Sequence, residues 1–509
     1  MISTVGNESS IFDFFNCLRA IGSNKMRFAY PHEISPFRPM PMIFNLILIF
    51  LSLACWRIGE ASEKPNFVFI LADDCTYLDM EVYGGPSKTP HILRLAEEGM
   101  TFTRCYQSAS MCSSTRHALY TGIHPIRNGA YPNHARAYEN VRSVPHFLSR
   151  ENYRVVLAGK RHVEPESVFP FEYLDEFADP SDREVRKVNG WRYPKVLQVM
   201  RDSVSANRPF CLFLCSNEPH GPYTKGDASV YKDVALSPQQ LELHRSSYAK
   251  YLAEITYFDS QVGEITRMLE SLDLRRNTLL MVASEQGSSF PFAKWTCYEM
   301  GVASGLVASW PGIIEPGVRS DAIIEYVDVV PTFLDAAGVS KTHDFDGRSF
   351  LPVLQGKSRE HKNFAYSIQT TLGVNGVDQP YGIRSVVNDR FRYVLNLFPE
   401  NEFSIPASRN LRSTVADLGQ DERDFANRYL KRPMVELFDI SKDPYCRTNL
   451  ASDPTFRKQR QTLATALDDW MTQQLDLGRQ AELEAGARHN RWKTAQLKAE
   501  KAKLEPMTR

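Results

Sequence analysis

The stretch Asn66-Phe67-Val68-Phe69-Ile70-Leu71-Ala72, followed at once by Asp73-Asp74, is a continuous apolar run that ends in two carboxylates. A run of this length without polar alternation predicts a strand buried on both faces. Similar runs recur at Arg154–Ala158, Phe210–Cys215, Leu279–Ala283 and Gly305–Trp310. Longer amphipathic stretches separate them. This alternation, from about Lys64 to Ser367, predicts an α/β core with a mixed, mostly parallel sheet sandwiched by helices.

Two of the helices are legible in detail. Thr89-Pro90 supplies an N-cap followed by Pro at the first helical position, with Gly99 placed to end that helix. Between Tyr248 and Leu272, apolar residues Tyr251, Leu252, Ile255, Phe258, Val262, Ile265 and Leu269 recur at three- and four-residue spacing, the stripe of one long helix. The pattern then changes. Tyr381–Val386 and Phe391–Leu397 read as a hairpin around Asn388-Asp389, Glu436–Ile440 as another strand, and about Phe456 to Gln474 as helix. The expected organisation is a leader over 1–63, a catalytic domain over 64–370, a smaller antiparallel-sheet-plus-helix subdomain over 371–475, and a charged, solvated tail over 476–509.

The leader rests on Ile43 to Cys55, an apolar stretch shorter than the roughly 20 residues a membrane span needs. Arg38 precedes it and Gly59-Glu60-Ala61 follows with the spacing of a signal-peptidase site. Export is expected, to a periplasmic, secreted or lysosome-like compartment, with a lipid or membrane anchor as the alternative reading. Translation starting at Met26, Met40 or Met42 would shorten the leader to an ordinary length. Among 509 residues the formal net charge is zero, which provides no overall basic field for nucleic acid. The nine cysteines contain no C-x-x-C pair, so a zinc ribbon is unsupported, and one or two disulfides are left open without assignment.

Chemistry collects just after the predicted strands. Asp73-Asp74, then Lys160 and His162, then Glu218 and His220, then Glu285-Gln286 each follow one of them. Ligands of open α/β sheets bind at the carboxyl ends of strands, so separate strands delivering acids, a lysine and histidines to that edge predict one shared site. Asp73, Asp74, Glu285 and Gln286 offer oxygen ligands only, which suits Ca²⁺, or Mg²⁺, over zinc. Three carboxylates meeting without a cation would repel. The alternative is a set of unrelated solvated turns.

The segment Cys112-Ser113-Ser114-Thr115-Arg116, running on to Thr121-Gly122, resembles the signature C-x-P-x-R followed by T-G of the sulfatase family. Phe67 to Asp74, Gly159-Lys160-Arg161-His162, Glu218-Pro219-His220, Lys294 and the ending Glu436-Leu437-Phe438-Asp439 resemble further family blocks in the same order. Within the family, Gly159 to Glu166, Phe169-Pro170-Phe171 and Arg384-Ser385-Val386 resemble the heparan N-sulfatases (sulfamidases). The resemblance implies an alkaline-phosphatase-like fold and an enzyme that removes sulfate from a sulfated saccharide. It implies Cys112 converted to formylglycine by a separate maturation enzyme, as the activated nucleophile. One divalent cation would be held by Asp73, Asp74, Glu285 and Gln286 together with residue 112. Arg116 would stabilise residue 112, Lys160 and Lys294 would hold sulfate oxygens, His220 would protonate the leaving group, and His162 would act as base.

The chain departs from the pattern in three places. Ser114 stands where the signature has Pro or Ala, which bears on maturation. Glu285-Gln286 replaces Asp-Asn and lengthens both arms by a methylene. Lys294 stands where sulfamidases carry Arg, which bears on N-sulfate specificity. Two other readings compete: a phosphoester or phosphonate hydrolase of the same superfamily, and a sulfated-glycan binding protein with Cys112 unmodified.

Overall fold

The computed structural model describes residues 64–177, 189–238, 240–339, 343–371, 377, 379–414 and 418–486. The expected leader and residues 487–509 lie outside them. The larger sheet is built from β1 (Asn66–Ala72), β2 (Met100–Tyr106), β3 (Arg154–Gly159), β4 (Glu172–Leu174), β5 (Phe210–Cys215), β6 (Thr278–Ser284), β7 (Ala303–Ser309), β8 (Val318–Ser320) and β9 (Ile324–Glu325). Their order is β4-β3-β5-β1-β6-β7-β2-β8, with β9 also on β2. From β4 to β6 every pair is parallel. β7 alone reverses, pairing antiparallel with both β6 and β2, so β2 again runs in the direction of β1.

The apolar runs become the buried centre. Every residue of β1, β5, β6 and β7 is buried. Alternate side chains face opposite layers: Phe67, Phe69 and Leu71 enter one core, and Val68, Ile70 and Ala72 the other. Each fully buried side chain of this size is worth about 1.5–3 kcal/mol. Phe67 shows how tightly the first layer closes, with ring centroids 4.5 Å from Phe333 and 5.4 Å from Tyr153.

Helices α1 (Pro90–Glu97), α2 (Cys112–Thr121), α3 (Pro194–Ser205), α4 (Arg245–Ser271) and α5 (Val329–Ala336) accompany this sheet. The stripe on α4 is buried as its spacing requires. α1 ends as expected at Gly99, which follows its C-cap Glu98. A Cβ at Gly99 would sit 2.2 Å from the carbonyl oxygen of Ala308, so glycine is needed there for close approach to β7. Gly122 is a true helix stop, with φ +70° after Thr121.

The second sheet comprises β10 (Ala365–Gln369), β11 (Ile383–Val387), β12 (Phe391–Asn396) and β13 (Val435–Asp439), antiparallel throughout. Helix α6 (Arg457–Gln473) packs Leu463, Leu467 and Trp470 against Val386, Phe391, Tyr393 and Leu437 of this sheet. β10 also grips the large sheet's side of the molecule: Ile368 N donates to Ser108 O at 2.9 Å and Ser110 N to Ile368 O at 3.2 Å.

Two expectations are corrected. The segment from Asp476 onward does not begin as a solvated tail: Arg384, fully buried on β11, is paired with Asp476 and, at 2.9 Å, with Glu482. A buried guanidinium needs such partners, and the charge pattern that suggested solvation serves this purpose. The seven described cysteines, Cys75, Cys105, Cys112, Cys211, Cys215, Cys297 and Cys446, are all free and buried, so none of them forms a disulfide with another. Among the described residues no helix is long and apolar enough to cross a membrane.

Candidate functional site

The parallel register brings the predicted site residues to one edge. Ala72 pairs with Ser284, and Leu71 and Gly159 both lie level with Cys215. The next residues continue the ladder as it ends: Glu285 N donates to Ala72 O at 3.1 Å, Ser216 N to Leu71 O and Lys160 N to Cys215 O, both at 2.9 Å. Asp73, Lys160 and Glu285 therefore emerge side by side. β2 ends at the same edge, and Cys112 is the first residue of the buried helix α2 that follows it. Arg116 lies one turn on, on the same helix face. The N-terminus of α2 favours an anion by its dipole.

Side-chain contacts join these groups. Arg116 makes a bidentate pair with Glu285, 2.8 Å at both contacts, and donates to Lys160 O at 2.7 Å. Lys160 Nζ is bonded to Asp73. Lys294 Nζ reaches both oxygens of Asp74, at 2.6 and 2.8 Å, and Gln286 Nε2 donates to Asp74 Oδ1 at 2.7 Å. His220 Nε2 is 3.6 Å from Asp74 Oδ2, while its Nδ1–H donates to Gly221 O at 2.8 Å. Cys112 lies within the electrostatic reach of Lys160, Lys294 and Glu285. His162 lies within that of Lys160, Arg116, Asp73 and Lys294. Each predicted residue thus belongs to one cluster.

Burial and charge set the titration of these groups. Burial raises the pKa of Asp73, but Lys160, the hydrogen bond with Glu285, and Arg116 overcome it and hold the carboxyl well below its ordinary range. Burial and the Asp73 charge push Glu285 well up, against Arg116. Burial would lower Lys294, but Asp74 keeps it above an ordinary lysine. Burial and the neighbouring cations lower His162 to about 3.

The oxygen set fits a hard cation by its donor chemistry. Asp73 Oδ1 and Gln286 Oε1 are buried without any hydrogen-bond partner, beside the carboxylates of Asp74 and Glu285. Asp73 Oδ1 has the Arg116 guanidinium 3.7 Å away but no hydrogen bond; a buried acceptor without one is costly, and a cation would satisfy both atoms. Among the described residues, no group of three His, Cys, Asp or Glu side chains is arranged to hold a metal. The reason is visible in the contacts: Asp73, Asp74 and Glu285 are turned to Lys160, Lys294 and Arg116.

Two neighbours went unread in the sequence. Ser289 Oγ donates to Asp74 Oδ2 at 3.2 Å, and His134 Nδ1 is 2.8 Å from His162 Nε2. Both lie in loops without periodic pattern, and neither belongs to a motif. Ser114, at the departing position of the motif, is fully buried and donates to Tyr131 O at 3.2 Å.

Residues 65–339 match the family model described as Sulfatase, and residues 287–405 match that of the N-sulphoglucosamine sulphohydrolase C-terminal region. An ulvan-active sulfatase of Formosa agariphila is 32% identical over 432 residues, covering 83% of this chain and 82% of the relative. The human N-sulphoglucosamine sulphohydrolase is 26% identical over 485 residues, covering 85% of this chain and 93% of the relative. In fold, the chain is similar to a structure solved in complex with its substrate D-glucosamine-2-N,6-O-disulfate, with a TM-score of 0.61 at 19% identity over 81% of this chain and 99% of that one. It is likewise similar to a 2-O glycosaminoglycan sulfatase, with a TM-score of 0.60 at 21% identity over 81% and 93%.

Proposed function

Because the chain belongs to the sulfatase family, we propose that it releases sulfate from the end of a sulfated carbohydrate, at an O-sulfate ester or a glucosamine N-sulfate. The observation that carries this reading is the array around the N-terminus of α2: residue 112 with Arg116, Lys160 and Lys294 beside four side chains bearing oxygen ligands. The relatives' names support a sulfated saccharide and point to both bond types, an ulvan-active sulfatase on one side and an N-sulphoglucosamine sulphohydrolase on the other.

Sulfatases generally depend on formylglycine and a divalent cation. Residue 112, once converted, would supply the nucleophilic hydroxyl, and a Ca²⁺ or Mg²⁺ ion on Asp73, Asp74, Glu285 and Gln286 would polarise a sulfate oxygen. The rest is work for the chain's own side chains. Lys160 and Lys294 would bind sulfate oxygens through their ammonium groups. Arg116, fixed by Glu285, holds residue 112 in place. His220 would carry the proton to the leaving group: its Nδ1–H is committed to Gly221 O, so Nε2, 3.6 Å from Asp74, is the atom left to exchange a proton within the site. His162, neutral at working pH, accepts a proton. Export and a separate maturation enzyme complete the reading; oligomeric state is no part of it.

The test is a panel of defined sulfated saccharides, including glucosamine N-sulfate, O-sulfated sugars and a phosphate monoester. Inorganic sulfate from terminal residues is the expected result, and the active members decide between ester and sulfamate. Release of long sulfated fragments would overturn the chain-end reading. Turnover of the phosphate ester alone would overturn the sulfate reading.

A further inference from the structure

The histidine pair beside the site is unusual in three respects. The His134 and His162 rings lie 4.6 Å apart, joined Nδ1 to Nε2 at 2.8 Å. Both residues hold positive φ, 57° and 54°, a conformation uncommon outside glycine. Two loops thus adopt a costly backbone to bring the rings together. On the other side of the His162 ring, Nδ1 is buried with no hydrogen-bond partner.

A neutral imidazole carries one proton, so the shared contact fixes where the other lone pair lies. If His134 donated, His162 would hold its proton on Nδ1, a buried N–H with no acceptor. The local field opposes that arrangement. Burial, Lys160, Arg116 and Lys294 disfavour further positive charge on this ring, and Asp73 opposes them in part. Cations attract a lone pair and repel an N–H dipole. The lower-energy arrangement has His162 Nε2–H donating to His134 Nδ1 and leaves the Nδ1 lone pair free.

We propose that His134 is a positioning residue, which holds His162 in the Nε2–H tautomer so that Nδ1 is ready to take a proton within the site. This rests on the sulfatase reading for its purpose but not for its observation. The proton taken by Nδ1 makes an imidazolium, and the Nε2–H bond to neutral His134 stabilises that cation without moving a second proton.

The tautomer can be measured directly, before any conversion of Cys112, by ¹⁵N NMR of the full chain labelled at histidine. His162 is assigned by the signal lost in His162→Gln. The wild type should show Nε2 protonated and Nδ1 unprotonated. A wild type with Nδ1 protonated overturns the proposal without any variant. His134→Gly accepts the positive φ and removes the ring; it should lose the fixed tautomer. His134→Asn tolerates the same backbone and offers Oδ1 at the place of Nδ1; it should restore it. In active protein, His134→Gly should lower kcat on nitrophenyl sulfate by about 10–100-fold, the usual effect of losing such a supporting partner. KM should stay within about twofold, and His134→Asn should recover most of kcat. An unchanged tautomer and kcat in His134→Gly would refute the role of His134. Failure of wild type on the whole saccharide panel would instead refute the functional reading and leave the tautomer result standing.

Discussion

Asp74→Asn tests the charge balance of the site most severely. Lys294 Nζ sits 2.6 and 2.8 Å from the two Asp74 oxygens, and the side chains are 4% and 1% exposed. At 2.6 Å and an effective dielectric of about 20, their attraction is roughly 6 kcal/mol. Desolvation offsets much of this, but removing one partner leaves an uncompensated buried charge, which costs about 3–5 kcal/mol. Asp74→Asn in cation-stripped protein should therefore be destabilised by that amount, beyond any loss of activity. Lys294→Met should cost less, because Asp74 keeps its bonds from Gln286 and Ser289. The double variant removes both charges and should recover at least about 2 kcal/mol of coupling. Urea unfolding followed by tryptophan fluorescence closes the cycle. Added Ca²⁺ should stabilise the wild type by mass action and do so far less in Asp74→Asn. A coupling below about 0.5 kcal/mol would show that the pair is not held as described, and the electrostatic account of the site would fall with it.

Four further outcomes are expected. Active protein should carry formylglycine at 112, seen by peptide mass spectrometry; full activity with only a free thiol would refute the mechanism. Asp79, raised by burial from 3.8 to about 6 against the bond from Tyr248, contributes stability that is present below pH 3.8 and lost as pH rises through 6. That loss is about 3 kcal/mol, and Asp79→Asn should flatten the stability profile over this window, a slope read by urea midpoints at several pH values. His220→Ala should slow a sulfated sugar far more than nitrophenyl sulfate, whose leaving group needs little protonation; equal losses would remove His220 as the acid. Truncation after Leu475 should destabilise by about 3–5 kcal/mol or prevent folding, since Arg384 would lose both carboxylates, and an unchanged urea midpoint would refute this.

What was readable in advance follows from physical locality. A strand buried on both faces must be apolar along its length, so β1, β5 and β6 announced themselves, and the residues after them could be placed at one edge because parallel neighbours end together. β2 escaped because Thr101, Thr103 and Arg104 interrupt it, Thr103 and Arg104 being only partly buried between the segments that pair with the short strands β8 and β9. β10 escaped because its role is to hold Ser108 to Ser110 in place, which depends on distant backbone and not on pattern. The tail was misjudged for a related reason: a charged residue shows its sign in sequence, but not whether water or a buried Arg384 answers it.

The same distinction explains the site. The acids and bases that follow the strands could be named by type and position, yet their pairing could not, and His134 was missed. The structure matches Asp73 with Lys160, Asp74 with Lys294 and Glu285 with Arg116, three carboxylates against three cations. In this array the ammonium groups of Lys160 and Lys294 are each committed to a carboxylate. It also leaves Asp73 Oδ1 and Gln286 Oε1 unsatisfied. Asp73, Asp74, Glu285 and Gln286 would give a divalent cation its oxygen ligands, and the added positive charge would favour an anion at the N-terminus of α2. The internal salt bridges and the expected metal ligation are thus not rival descriptions of these residues.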